Sequence, residues 1–146
     1  MTNHQDTLRS TGDAGPLTRS QICVLLAFGT LLWFGAAMLV RLLVPMGALD
    51  GAARLVIYAL VVPGTIPAVL VARRLARLDR QQTALGITFV TAPALLLDGI
   101  AFAWFPSLYG PDPALHLAGA AVILWGAGVG LVLGLMMSKA GGSSTL

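Results

Sequence analysis

The stretch TAPALLLDGIAFAWFPSLYG, residues 91–110, is apolar enough to lie in a bilayer, yet it carries one carboxylate, Asp98. A carboxylate at membrane depth costs about 2.5–3.5 kcal/mol on insertion scales, so something in the fold must compensate for it. Pro93 precedes Asp98 by five residues and Pro106 follows it by eight. Each proline removes a backbone donor and clashes with the carbonyl four residues earlier. The pattern predicts a membrane helix broken near its middle at Pro93 and ended at Pro106.

Working outward, the rest of the chain has the same character. Of its 146 residues, 57% are hydrophobic and only 10% charged, against about 25% charged in a soluble domain. The mean hydropathy is +0.85. A water-soluble protein of this size could not hide so much apolar surface, so the class is integral membrane protein. The length allows one helical unit and no separate soluble domain.

Four apolar runs can be read, roughly 22–44, 53–72, 83–105 and 115–137. Each approaches the ~20 residues needed to cross ~30 Å of hydrocarbon. The expected fold is all-α: a four-transmembrane-helix bundle with its second and third helices broken by proline. Residues 1–19 read as a flexible tail, 20–138 as the transmembrane domain and 139–146 as a second tail. The first run is longer than a signal-peptide core and carries Arg41, so it is expected to be retained.

Basic residues set the expected orientation. With four spans, Arg9, Arg19, Arg73, Arg74, Arg77, Arg80 and Lys139 share one side, and Arg41 and Arg54 fall on the other. The bias predicts that both termini are cytoplasmic. Trp104 and Tyr109 then fall at the outer interface, where aromatic belts form. The same topology accounts for the net charge of +3, and no nucleic-acid partner is expected.

Asp98 leads the residues that could carry chemistry. Counting back from Pro106 places it ~12 Å below the outer boundary. One reading is a proton or cation site, since intramembrane carboxylates are functional candidates by default. The other is a carboxylate held by an arginine and helix-end amides for assembly alone. Arg41 is the natural partner, because its long side chain can turn inward from the same membrane half. Arg54 reads as an interface anchor or a second guanidinium for Asp98.

Pro63, Gly64 and Pro67 cross the middle of the second run, and Pro93 lies at similar depth in the third. Broken helices with freed carbonyls are how many transporters build ion sites. Prolines are also common in membrane helices for packing reasons alone, and the pattern by itself favours that plainer reading. Gly126, Gly130 and Gly134 share one face of the fourth span and let another backbone come close. Their partner is either another span of the same chain or a second membrane protein, including a second copy.

Trp33 and Trp125 read as packing residues, His116 as a solvated loop-end histidine, and Cys23 as a small buried apolar residue. One cysteine forms no internal disulfide. No zinc-protease, haem, phosphate-loop or serine-hydrolase motif is present, so no catalytic site, metal or cofactor is expected.

The run Leu31-Leu-Trp-Phe-Gly with Arg41, the run Leu96-Leu-Asp98-Gly-Ile-Ala-Phe with Phe105-Pro106, and Leu124-Trp125-Gly126 together resemble a family of small four-helix bacterial membrane proteins of unknown function. The resemblance runs from the first span to the fourth. It implies a bacterial cell-membrane protein with four spans and brings no assigned activity. Two functions follow as expectations: a small transporter-like unit using Asp98, or a non-catalytic accessory subunit packed against another membrane protein.

Overall fold

In the computed structural model, which describes residues 16–139, the chain forms four long helices. They are α1 (Arg19–Leu43), α2 (Gly51–Leu75), α3 (Arg80–Trp104) and α4 (Pro113–Lys139). Single 3₁₀ turns at Val44–Met46 and Pro106–Leu108 lead out of α1 and α3. All four helices are long and apolar enough to cross a membrane. The architecture fits a multi-pass membrane protein, and large apolar side chains such as Leu31, Leu55 and Leu117 point outward. Cys23 is exposed among them rather than buried as expected. The two expected tails lie outside the described residues except for their inner ends.

Local chemistry explains where the helices begin and end. Thr18 caps α1 and Asp79 caps α3, each in a reciprocal capping box with a glutamine, Gln21 and Gln82. Such boxes satisfy helix-end donors that would otherwise be stranded. The two boxes also join, because Gln21 Nε2 donates to Gln82 Oε1 and to the Ala76 carbonyl. The end of α2 closes when the Leu78 and Arg77 amides bond back to the Arg73 and Arg74 carbonyls. Arg77 there takes a positive φ of 49°, in a terminal motif usually completed by glycine. Phe105 leaves the helical region ahead of Pro106, as the residue before a proline tends to do.

The expected breaks within α2 and α3 do not interrupt the helices. α2 continues through Pro63 and Pro67, and α3 through Pro93. Each proline still removes one donor, which strips the Ala59, Pro63 and Phe89 carbonyls of their usual helical partners. Thr65 adds a bond from its hydroxyl to the Val61 carbonyl at 2.7 Å, a local contact that often accompanies bending.

Packing places α1 along α3, α3 along α4 and α4 along α2, while α1 and α2 touch only sparsely. Gly29 meets Val90, Trp33 meets Asp98 and Arg41 meets Ser107. The register advances together, so α1 and α3 run parallel. They come close at Gly29, where a Cβ would overlap the Val90 carbonyl. Small residues allow such contact between membrane helices.

Two packed cores result. Leu25, Val69, Ala72, Ile87 and Val90 fill the end near the α2–α3 connection. Ala37, Val40, Leu49, Ala101, Tyr109 and Val122 fill the other end. Between them a cavity of about 630 Å³ remains, lined by large apolar side chains such as Leu32, Leu95 and Ile123 and by the small residues Gly35, Gly64, Ala94, Gly126 and Gly130.

A carboxylate in the wall of a mid-bundle cavity

Asp98 lies on the inward face of α3, six residues before the helix ends, and is 7% exposed. The Trp33 indole on α1 donates to its Oδ1 at 3.0 Å. The Tyr109 hydroxyl donates to the same oxygen. No donor among the described residues bonds Oδ2. The carboxylate forms part of the cavity wall together with Trp33, Thr65 and Thr91.

Tyr109 reaches this position because Pro106–Leu108 turns the chain back over the end of α3. Its ring stacks on Phe102, with centroids 3.9 Å apart and planes 5° from parallel. The side chain is 1% exposed, so Tyr109 faces the bundle interior and not the interfacial belt where it was expected. Trp104, at 71% exposed, does point outward. Tyr109 lies between the spans, and burial, then the bond to Asp98 and its charge, push the phenol above the usual tyrosine range. The hydroxyl therefore keeps its proton and remains a donor.

The expected pair between Asp98 and an arginine does not form. Arg41 Nη1 donates to the Ser107 carbonyl at 2.9 Å and the Leu108 carbonyl at 3.3 Å. It holds the backbone of the same loop that presents Tyr109. The position of Arg41, two turns beyond Trp33 on a parallel helix, carries its head past Asp98 to the chain that follows α3. Arg54 is exposed near the start of α2 and makes no bond to Asp98. Among the described residues, two neutral donors on one oxygen are thus the direct support for this carboxylate.

The remaining sequence candidates divide in two. Pro63 and Pro67 sit within the helix that forms one side of the cavity, and Gly64 lines it. Pro93 sits in α3 next to cavity-lining Ala94. On α4, Gly126 and Gly130 face Val61 and Thr65 of α2, and Gly134 meets Ile87 of α3. The glycine face is therefore directed at helices of the same chain. Trp125 also does more than pack: its indole donates to the Tyr58 carbonyl at 3.1 Å and stacks on the Tyr58 ring. His116 is part-buried, its Nε2 3.0 Å from the Gly110 carbonyl.

Trp33 and Tyr109 are the neighbours of Asp98 that sequence reasoning missed. The available signal was chemical: a Trp or Tyr buried in an apolar setting generally finds a hydrogen-bond partner, and Asp98 is the one carboxylate within the spans. Comparison with protein-family descriptions, with curated proteins and with solved structures found no match.

Proposed function

We propose that this chain is a small, non-enzymatic, transporter-like unit of a bacterial inner membrane in which Asp98 takes a proton or a monovalent cation from the mid-bundle cavity. Both termini lie in the cytoplasm in this reading, on the strength of the basic-residue bias, which puts Asp98, Trp33 and Tyr109 in the outer half. The observation that carries it is a carboxylate in a cavity wall with no cation bonded to it among the described residues. A charge held by neutral donors alone in an apolar setting is costly. Its balance has to come from a proton or from a cation that enters. Pro63, Gly64, Pro67 and Pro93, with three carbonyls freed of helical donors, give α2 and α3 places to flex around that cavity.

A second reading rests on a specific contact. The bonds of Trp33 and Tyr109 to one carboxylate oxygen tie α1, α3 and the following loop together, which suits an accessory subunit whose bundle needs only to be held. Labelling with dicyclohexylcarbodiimide, an apolar reagent that attacks protonated carboxyl groups from the lipid phase, separates the two. The transporter-like reading expects Asp98 to be modified in the folded protein, as read by peptide mass spectrometry. A folded protein that leaves Asp98 unmodified favours the accessory role.

A further inference from the structure

We infer that the mid-bundle cavity is a binding site for a lipophilic monocation, which enters from the lipid between α1 and α2 and sets its charge against Asp98. This rests on the reading of Asp98 as a proton or cation site and names the class of ligand.

The space comes first. A cavity of about 630 Å³ falls within the range of about 300–1,000 Å³ in which small-molecule sites lie. Its wall is apolar over most of its area, with polar atoms supplied chiefly by Asp98, Trp33, Thr65 and Thr91. That is the usual make-up of a ligand site: apolar surround, few polar groups.

The entrance follows from the packing. α1 is seated along α3 and α2 along α4, but α1 and α2 touch only sparsely. Leu31 and Leu60, on either side of that seam, line the cavity and are exposed. Gly35 on α1 and Gly64 on α2 also line it, and a Cβ built on either would meet no atom within 4 Å. The cavity is thus bordered at the seam by glycines whose side-chain space is open.

The charge decides the ligand. Asp98 is the acid in this wall, its Oδ2 takes no bond from the described residues, and Arg41 is engaged with the loop carbonyls. A cation with an apolar shell matches both the acid and the wall. A phospholipid fits poorly, because its phosphate would meet the carboxylate. A bare divalent ion fits poorly as well. Such ions take six or more oxygen ligands, and the described residues contain no group of three acidic, histidine or cysteine side chains.

The test uses the full chain purified in detergent and radiolabelled tetraphenylphosphonium, a permanent lipophilic cation. We expect saturable binding at about one site per chain, weakened at least tenfold by Asp98→Asn. Gly35→Leu and Gly64→Leu, which fill open space, should weaken it similarly while elution profile and melting stay near those of the parent. Bound probe should also protect Asp98 from dicyclohexylcarbodiimide. Absence of saturable binding overturns the inference, as does binding that all three variants leave unchanged. If the probe fails to bind but Asp98 is still labelled, the ligand class is wrong and the proton-site reading survives. If neither occurs, both fall.

Discussion

The Tyr109 hydroxyl and the Trp33 indole converge on a single oxygen of Asp98, so that a loop residue, α3 and α1 meet at one atom. A membrane carboxylate is commonly pictured with an arginine beside it. Here the arginine on hand instead clamps the loop that delivers the tyrosine. The two donors orient the acid, while Arg41 is engaged with the loop carbonyls and not with Asp98.

Removing one donor should loosen this junction measurably. Tyr109→Phe keeps the stacking on Phe102 but deletes the bond to Asp98, and Trp33→Phe deletes the other. Each should cost about 0.5–2 kcal/mol, the range for hydrogen bonds in membrane and soluble proteins. Because both act on one oxygen, their effects should not add. A double-mutant cycle by thermal or denaturant unfolding in detergent checks this, and strict additivity would show that the two bonds are independent.

The tyrosine also gives a signed dependence on pH. Its folded-state pKa lies above the unfolded value near 10, by burial first and by Asp98 second. A raised value means that the stabilisation is complete below about pH 10 and is lost as pH climbs toward the folded value. The difference in melting midpoint between the parent and Tyr109→Phe should stay constant up to about pH 10 and shrink above it. A difference that grows with alkalinity would contradict the assignment.

How much of this was legible in the sequence depends on which interactions are local. The four spans were, because hydropathy over about twenty residues is a property of each run alone. Asp98 stood out for the same reason. The partners of Asp98 did not, because they depend on the parallel register of α1 against α3, which no periodicity within either helix specifies. Opposite charge favoured Arg41, but its distance along α1 carries it to the carbonyls of Ser107 and Leu108. Tyr109 sits at a span end, where tyrosines often face the interface, and only the turn at Pro106–Leu108 directs it inward. The prolines mark lost donors, which the helices absorb without interruption.

Gly29 offers a test of the packing. It lies directly against the Val90 backbone of α3, although the glycines of α4 form the more obvious sequence pattern. Gly29→Ala would drive a methyl group into the Val90 carbonyl. Overpacking of this kind costs about 1–3 kcal/mol. Gly130→Ala, whose Cβ would make ordinary contact with Thr65 at 3.6 Å, should be nearly silent. Unfolding of the two variants side by side checks the contrast, and equal effects would contradict the α1–α3 interface.

Arg41 should act on the loop and not on Asp98 directly. Arg41→Met removes the clamp on the Ser107 and Leu108 carbonyls. Hydrogen exchange at the amides of residues 108–110 should then quicken several-fold, with the middle of α3 unchanged. Faster exchange around Asp98 with a quiet loop would restore the ion pair as the better account.

The central claim, with a lipophilic cation as the ligand, is that Asp98 exchanges a proton for that cation across the membrane, and flux through the reconstituted protein tests it most directly. Proteoliposomes carrying an internal pH dye are given an outward proton gradient and then external tetraphenylphosphonium. The account predicts a protein-dependent change in internal pH that Asp98→Asn abolishes while its melting midpoint stays within a few degrees of the parent. A pH change of the same size in both proteins, or none above empty vesicles in either, would contradict it.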